Sequence, residues 1–537
     1  MQEKNILHGP PEPILEFKNL SLGQLILNQL RIHRAWVAQI NAYTRKEQTF
    51  KEILDASQKL AIAFEKEGLR KNDRIAICSE NNTEFCIPVC AAFYLGVTVC
   101  PLNPLYTERE LKHALNISKP KYIFVSLLGA KNVCKVASQL FWLPKLIMLT
   151  ESPDNKLPNI NDFTSNITVD NNFHAYSTDI NDHVAVIACS SGTTGLPKGV
   201  MLTDKNFLTV IRHFAISSPD IVNNNVTTLA LLPFFHAYSF SVLLVRLTFG
   251  NKSVILPRFD EKMFLRTIEK YKIGYLTVVP PLMVFLAKHP IVDKYDLSSI
   301  QEMWCGAAPL SEEIAKTVSR RLNMKNIKQG YGLTETTLAV IKSPNNNTNY
   351  GSIGILAPGI SGKVISVNEG NSGQALGPNN AGELCFKGNL IMKGYCNDEL
   401  ATAATIDKDG WLHSGDIGYY DEQGYFYIID RLKELIKYKG FQVPPAELET
   451  VLLSCPGIKD AAVIGLPHEE AGELPTAFIV KQEGSNITAE DVNKFVNERV
   501  SNHKRLRGGI KFIENIPKTA SGKILRRELR DALKSKL

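Results

Sequence analysis

The alternation of amphipathic helices with short apolar runs is the feature that most constrains the fold of this chain. Residues 50–67 place apolar side chains on one helical face, and residues 74–78 follow a turn as a buried strand. Further buried strands are predicted at 122–126, 145–149 and 252–256, each beside helical stretches. Helices that alternate with buried strands favour α/β layers.

The pattern changes after Asp430-Arg431, where a basic segment precedes an α+β pattern of roughly 100 residues that could fold alone. In it we predict a helix opened by Pro444-Pro445, strands at 461–466 and 476–480, and a helix capped by Thr488, with Val492, Phe495, Val496 and Val500 on one face. The predicted fold is α/β, with a large multi-layer N-terminal domain (1–432) and a small mobile α+β C-terminal domain (433–537).

Charge and cysteine usage exclude several function classes. The 61 basic and 54 acidic residues leave a net charge of +7, spread along the 537 residues without a dense basic arm. This distribution does not indicate nucleic-acid binding, but it suits anionic small molecules. The ten cysteines are scattered singly, which argues against a zinc site or a disulfide framework and indicates a reducing compartment.

The termini and the uncharged runs bear on location. The N-terminus has no apolar core and does not resemble a secretory signal. Uncharged residues 85–107 and 221–245 contain prolines and polar side chains, so we expect buried helices and turns and no transmembrane span. Ser535-Lys536-Leu537 is the tripeptide that a peroxisomal import receptor reads, which predicts a peroxisomal protein. A frayed helix end is the alternative.

A strand-like run at 184–189 opens into a loop rich in Ser, Thr and Gly. Such a loop lets backbone N–H groups and hydroxyls converge on phosphates, while a lysine adds a point charge. The spacing is not that of a Walker A motif, and a mobile hairpin tip is the alternative interpretation. The candidate ATP-binding residues of this loop are Ser190, Ser191, Gly192, Thr193, Thr194 and Lys198.

Five further motifs follow in a fixed order: Tyr331-Gly-Leu-Thr-Glu-Thr336, Trp411-Leu-His-Ser-Gly-Asp416, Asp430-Arg431, Lys437-Tyr-Lys-Gly440 and Pro517-Lys-Thr-Ala-Ser-Gly-Lys523. Together with the Ser/Thr/Gly loop, they resemble the adenylate-forming superfamily of acyl-CoA synthetases, coumarate ligases, beetle luciferases and nonribosomal-peptide adenylation domains. The resemblance runs from about residue 20 to the end of the chain.

The resemblance implies a two-step reaction with ATP, Mg²⁺ and CoA. A carboxylate attacks the α-phosphorus of ATP and releases pyrophosphate, and a thiol then attacks the acyl adenylate. Lys523 matches the lysine that bridges the carboxylate and the phosphate in the first step, where its charge offsets the charge that builds on oxygen. Carboxylates are ionised near neutral pH, so no general base is needed.

The same matching assigns the nucleotide site. Tyr331 beside Gly330 suits a stacked purine, Glu335 suits Mg²⁺ as a hard oxygen ligand, and Asp416 can accept from ribose hydroxyls. A capped helix start for Thr334 and a structural salt bridge for Asp416 are the alternatives. The implied ATP-binding set is completed by Gln329, Gly330, Tyr331, Thr334, Asp416, Arg431 and Lys523, and the catalytic set is Lys523, His236, Thr334 and Glu335.

The acyl pocket is implied by the segment 232–240 and by six later residues. The residues expected to line it are His236, Tyr238, Val279, Pro280, Gly306, Ala307, Ala308 and Leu338. An apolar wall without a buried cation favours a hydrophobic acid such as a medium- or long-chain fatty acid. A core histidine is the alternative for His236.

The CoA site and the hinge are implied by the small domain. Members of the superfamily rotate this domain between the half-reactions, and Lys433 matches the hinge position. The implied CoA-binding residues are Arg258, Lys437, Lys439 and Gly440, with a plain surface arginine as the alternative for Arg258.

Overall likeness is strongest to luciferase-like insect acyl-CoA synthetases. At the pocket the chain has Leu338 where light-emitting members typically have serine, which makes efficient luciferin oxidation doubtful. The predicted function is therefore an AMP-forming acyl-CoA ligase. A luciferin monooxygenase, an aryl-CoA ligase of the coumarate type and a non-catalytic binding module are the alternatives, and the presence of Lys523, Glu335 and Asp416 disfavours the last.

Overall fold

The computed structural model describes residues 5–13, 20–151, 157–190, 197–223, 226–325, 327–345, 349–367, 373–432, 434–439, 441–468, 470–519 and 522–534. Several predicted site residues lie outside these ranges, namely Ser191, Gly192, Thr193, Thr194, the hinge residue Lys433, Gly440 and the terminal Ser535 to Leu537.

The strands of the described chain are β1 (Leu7–His8), β2 (Val37–Asn41), β3 (Glu47–Thr49), β4 (Arg74–Cys78), β5 (Thr98–Leu102), β6 (Tyr122–Val125), β7 (Lys145–Met148), β8 (Val184–Ser190), β9 (Lys198–Thr203), β10 (Thr228–Ala230), β11 (Ser253–Ile255), β12 (Tyr275–Val278), β13 (Glu302–Cys305), β14 (Ile327–Gly332), β15 (Ala339–Lys342), β16 (Ile355–Leu356), β17 (Ser361–Ile365), β18 (Gly382–Lys387), β19 (Gly394–Tyr395), β20 (Leu412–Tyr420), β21 (Phe426–Arg431), β22 (Ile436–Tyr438), β23 (Phe441–Val443), β24 (Ile458–His468), β25 (Gly472–Lys481) and β26 (Ile510–Phe512).

The α-helices are α1 (Leu22–Ile32), α2 (Phe50–Lys66), α3 (Cys86–Tyr94), α4 (Glu108–Ser118), α5 (Leu127–Ala137), α6 (Ile160–Phe163), α7 (Asp204–Ser217), α8 (Pro219–Asn223), α9 (Ala237–Phe249), α10 (Glu261–Tyr271), α11 (Pro280–Lys288), α12 (Glu312–Arg321), α13 (Glu399–Thr405), α14 (Pro445–Ser454), α15 (Ala489–Asn497) and α16 (Arg526–Lys534). Short 3-10 helices cover Pro290–Lys294, Thr334–Thr336 and Asn502–Lys504.

Two large sheets with parallel centres form the body of the molecule. One has the strand order β19-β9-β8-β5-β4-β6-β7, and the other has the order β16-β15-β14-β13-β12-β10-β11-β2-β3. Strands β12, β13 and β14 are mutually parallel, and their carboxyl ends therefore lie at one edge. In open α/β sheets, ligands bind outside the carboxyl ends of such strands.

Helices α1, α3, α7 and α9 pack against one another in the core between these sheets. Every residue of α3 is buried, which explains why its sequence is apolar on all sides. The Phe240 ring on α9 lies 5.9 Å from Phe207 of α7 and 6.5 Å from Phe93 of α3. This packing fixes the direction of α9, whose N-terminal residues reach the edge where the strands end.

An antiparallel sheet, β1-β17-β18-β20-β21, precedes the last sheet, in which β24 and β25 form a long hairpin beside β22, β23 and β26. This last sheet has its own apolar core, built with α14 and α15. The predicted α/β architecture is thus confirmed. The boundary at residue 432 stays a prediction.

Predicted and observed elements agree closely where the apolar pattern was regular. Strand β4 has the predicted bounds, and α2 differs from its prediction by one residue at the end. The hairpin strands β24 and β25 are longer than expected, and Val500 lies beyond the end of α15. The uncharged runs contain α3 and α9, and no helix in the described part of the chain is long and apolar enough to cross a membrane.

Candidate active site

One cavity of about 440 Å³ lies at the carboxyl ends of β13 and β14. It brings together residues from the loop edges of β8 and β9, from the start of α9, from β21 and from the small C-terminal sheet region. The predicted site residues that line it are Ser190, Lys198, His236, Tyr238, Gly306, Ala307, Gly330, Thr334, Glu335, Leu338, Arg431 and Lys523.

Some predicted residues do not line this cavity. Gln329 is buried, and its Nε2 donates to the carbonyl oxygens of Tyr350 and Ser352 at 3.0 and 3.2 Å, so it holds a neighbouring loop. Ala308, Val279 and Pro280 also lie outside the cavity wall. Their assignments to the nucleotide and acyl sites therefore stay predictions.

Tyr331 and Asp416, behind the wall, form a linked group with the wall residue Arg431. The Tyr331 hydroxyl donates to Asp416 Oδ2 at 2.6 Å, and Arg431 Nε lies 3.1 Å from Asp416 Oδ1. Burial raises the pKa of Asp416, while Arg431 and the Tyr331 hydroxyl act in the opposite direction. Arg431 approaches Oδ1 without hydrogen-bond geometry, so this buried oxygen lacks a hydrogen-bond donor among the described residues. A ribose hydroxyl would supply one.

The Tyr331 ring itself packs against Phe386, with the ring centres 5.9 Å apart, and only its neighbours Gly330 and Gly332 reach the cavity. Stacking of a purine on Tyr331 therefore stays a prediction. Ser190 Oγ, in the cavity wall at the end of β8, is buried and also has no hydrogen-bond partner in the described chain. Such an unpaired hydroxyl fits a phosphate oxygen.

Lys198, Tyr395 and Glu335 form a second group. Lys198 Nζ lies 4.6 Å from the centre of the Tyr395 ring, and the Tyr395 hydroxyl donates to Glu335 Oε1 at 2.8 Å. Burial and the Glu335 charge raise the pKa of Tyr395, which keeps its proton on the donor. The carboxylate is thus oriented in the cavity wall beside a lysine. A single oriented carboxylate that shares its ion with phosphate oxygens is a common Mg²⁺ arrangement, so Glu335 fits the predicted metal role.

The loop that carries Lys523 sits on the N-terminal part of the molecule. Gly522 has φ +83°, and a Cβ at this position would lie 3.3 Å from Pro281 and 3.6 Å from Val279. This is the role the structure gives Val279, whose side chain supports the loop. The Lys523 backbone N–H donates to Thr519 Oγ1 at 3.1 Å. Burial, followed by Arg431, lowers the pKa of Lys523.

His236 caps α9 and lines the cavity. Its Nδ1 accepts from the backbone N–H of Tyr238 at 3.4 Å. Burial, followed by the charge of Lys523, lowers the pKa of His236 to about 4, so the ring is neutral at pH 7. The ring therefore satisfies a backbone N–H group and also lines the cavity, and its catalytic role stays a prediction.

The predicted CoA residues lie apart from the cavity. Arg258, Lys437 and Lys439 are exposed, and none of them contributes to the cavity wall. Lys439 has φ +47°, and its backbone N–H donates to the Ala471 carbonyl oxygen at 2.9 Å. The structure therefore brings Lys523, and not the Lys439 loop, to the site.

Sequence reasoning missed three residues of the wall. Lys342, at the end of β15, and Ser217, at the end of α7, both line the cavity. The sequence signal that could have identified Lys342 is a lone lysine directly after the apolar run Leu338 to Ile341. Cys305, at the end of β13, was also missed as a wall residue, and burial raises the pKa of its thiol.

Comparison with known proteins decides the family. Residues 28–396 match the AMP-binding enzyme family, and residues 447–523 match the C-terminal domain of AMP-binding enzymes. The chain belongs to the AMP-binding enzyme family.

Individual relatives in this family have different activities. The chain is 43% identical to luciferin 4-monooxygenase of Photuris pensylvanica over 100% of both chains. It is 40% identical to 4-coumarate--CoA ligase 2 of Nicotiana tabacum over 92% of this chain and 91% of that protein. A red-emitting luciferase structure from Phrixothrix hirtus is 40% identical, with a TM-score of 0.72 and 99% of each chain covered. The predicted adenylate-forming identity is confirmed.

Proposed function

We propose that the chain is an AMP-forming acid–thiol ligase that activates a hydrophobic carboxylic acid, of medium or long chain length, and transfers the acyl group to CoA. The observation that carries this proposal is the position of Lys523 in one cavity with Thr334, Glu335 and His236. Lys523 would supply a cation and Thr334 a hydroxyl donor where a carboxylate meets the α-phosphate of ATP, and Glu335 would supply an oxygen ligand for Mg²⁺.

The roles follow from the geometry. Glu335, held by Tyr395, would bind Mg²⁺, which screens the phosphate charges when bound. Asp416 and Arg431 would hold the ribose side of ATP. Lys523 would stabilise charge at the α-phosphate as the acid oxygen bonds to phosphorus and pyrophosphate leaves. Neutral His236 adds no charge beside the incoming carboxylate.

Thioester formation would use the other face of the small domain. The thiol sulfur of CoA bonds to the acyl carbon, AMP leaves, and the thiol proton goes to solvent. The exposed Lys437 and Lys439 would meet the CoA phosphates after the small domain has turned. This assignment is supported by the similarity to the tobacco 4-coumarate--CoA ligase.

Luciferin oxidation and aryl-CoA synthesis are the competing activities, because relatives with both kinds of name cover nearly the whole chain. Leu338 favours thioester synthesis over light emission, since this apolar side chain offers no hydrogen bond to a heteroaromatic ring.

A substrate screen tests the proposal. Pyrophosphate release and acyl-CoA formation are measured with ATP, Mg²⁺ and CoA over fatty, cinnamic and dicarboxylic acids, and light is measured with luciferin. Acid-dependent formation of AMP and thioester is expected. Light without thioester formation, or no pyrophosphate release with any acid, would overturn it.

We further propose peroxisomal import through Ser535-Lys536-Leu537, which lies outside the described residues. A fluorescent fusion to the N-terminus is expected to collect in peroxisomes and to become diffuse when the tripeptide is removed.

A further inference from the structure

The cavity has a polar end that the adenylation chemistry does not use. Lys342, Ser217 and His213 line it there. Lys342 Nζ donates to Ser217 Oγ at 2.5 Å, and Ser217 Oγ donates to the His213 carbonyl oxygen at 2.7 Å. The expectation of a wall without a buried cation was therefore wrong.

Within the described part of the chain, the charge of Lys342 is not paired with a carboxylate. The nearby Lys328 is 4% exposed and pairs with Glu302 Oε2 at 2.7 Å. The other oxygen of Glu302 accepts from Trp304 Nε1 at 2.6 Å. Among the residues that the structure describes, no carboxylate forms an ion pair with Lys342, so this cluster carries one excess positive charge.

Burial makes the excess positive charge at Lys342 energetically unfavourable. Burial, followed by the charge of Lys328, lowers the pKa of Lys342 to about 8. Burial, followed by the charge of Lys342, lowers the pKa of His213 to about 3, so this ring is neutral. A buried charge is unfavourable unless it is paired, and an anion in the cavity would pair with Lys342.

Lys342 lies at the far end of β15, the strand that follows the Thr334–Thr336 segment. Lys342 is three residues along β15 from Ala339, which corresponds to roughly 10 Å at the rise of a strand. Leu338, Ala339, Val242 and Phe214 contribute apolar wall to the same cavity. An acid bound with its reacting carboxylate near Lys523 would cross this apolar wall before it meets Lys342.

We propose that Lys342 selects carboxylic acids that carry a second anionic group at the far end, such as α,ω-dicarboxylic acids. The proposal rests on the proposed ligase function. It names the substrate class of that function, an apolar chain with an anionic oxygen group at each end.

The test compares matched acids in the full-length enzyme. kcat/KM for pyrophosphate release is measured for α,ω-dicarboxylic acids of several lengths and for monocarboxylic acids with the same carbon number. Lys342→Met removes the charge, and Lys316→Met, on the exposed face of α12, serves as the control. We expect Lys342→Met to lower diacid kcat/KM by about thirtyfold or more, the scale for removing one partner of a buried charge pair. Monoacids should not lose activity.

A pH profile gives a second readout. Diacid kcat/KM is expected to fall above about pH 8, because Lys342 then loses its proton, while the monoacid profile does not share this fall. Among the described residues, Lys328 on β14 and His213 on α7 interact electrostatically with Lys342, and Glu302 on β13 is paired with Lys328. In Lys342→Met the difference between the two profiles should vanish.

The outcomes separate the two proposals. Turnover of monoacids with no preference for diacids at any length, or an equal loss for both acid classes in Lys342→Met, would overturn the role of Lys342 and leave the ligase function standing. Absence of pyrophosphate release with every acid would overturn the ligase function itself. Calorimetric titration with the preferred diacid measures binding independently of turnover. An affinity that is the same in the parent and in Lys342→Met would also contradict the proposal.

Discussion

Individual side chains at this site act through their neighbours. Tyr395 illustrates this, since its hydroxyl orients Glu335 and its ring faces Lys198. Asp416 is similarly held between Tyr331 and Arg431. Substitutions behind the wall should therefore change metal or nucleotide binding without changing which groups reach the substrate.

Tyr395→Phe should lower the apparent affinity for Mg²⁺ by about tenfold or more, so that the Mg²⁺ midpoint of the reaction rises. The reason is that supporting hydrogen bonds to a metal ligand are typically worth that much. The variant keeps the ring beneath Lys198. Pyrophosphate release is titrated with Mg²⁺ at fixed ATP, with Tyr419→Phe, which lies outside the cavity, as the control. An unchanged Mg²⁺ midpoint would show that Glu335 does not bind the ion.

Leu338→Ser should shift the pocket from acyl chains towards heteroaromatic substrates. Loss of the isobutyl group is expected to weaken acid turnover by roughly 1–3 kcal/mol, while the new hydroxyl could bond a luciferin ring. kcat/KM for the best acid and light yield with luciferin are measured in both proteins. Strong light from the parent, or full acid turnover in the variant, would contradict the assigned position.

Sequence reasoning identified those cavity side chains that belong to a short local motif. Lys198, Glu335 and Lys523 each lie in a short pattern, and each reaches the cavity. Lys342 was missed because its importance comes from α7 and β14, which are distant in sequence. Val279 does not line the cavity, since a motif fixes a backbone turn but not which neighbour a side chain faces, and its place in the acyl site stays a prediction.

At the scale of elements, the strands with regular apolar runs were predictable, and the contacts between elements were not. The Thr519–Lys523 turn shows the difference. The sequence shows its glycine and its lysine. Its position beside Pro281 arises only when the small domain packs against the start of α11.

Gly522→Ala should slow adenylate formation at least several-fold with little loss of folding stability. Its Cβ would lie 3.3 Å from Pro281, and φ +83° disfavours alanine. Gly484→Ala is a matched control, because Gly484 has φ +76° and nothing within 4 Å of the added Cβ. Pyrophosphate release and thermal unfolding are measured for both variants, and equal effects would show that backbone strain alone is responsible.

In this structure of the whole molecule, the small C-terminal domain presents to the site the face that carries Lys523. Lys523 lines the cavity, and Lys439 is exposed away from it. A molecule of this design must move if both residues act on the same acyl group.

Lys523→Ala should abolish adenylate formation while leaving thioester formation from supplied acyl adenylate largely intact. Lys439→Glu should do the converse, since it places a negative charge beside an anionic cofactor. Each half-reaction is measured separately for both variants and for the parent. Equal loss of both steps in either variant would contradict the division of labour and indicate a folding defect.

The position of Cys305 bears on how such an enzyme avoids modifying itself. An acyl adenylate is an acylating agent, and one held in this cavity would share its walls with a thiol of the protein. Only the thiolate is an effective nucleophile, and burial raises the pKa of Cys305, which keeps the sulfur protonated. For the proposed ligase, the apolar setting that would hold an acyl chain would therefore also limit acylation of Cys305, so that the activated acyl group would survive until CoA arrives.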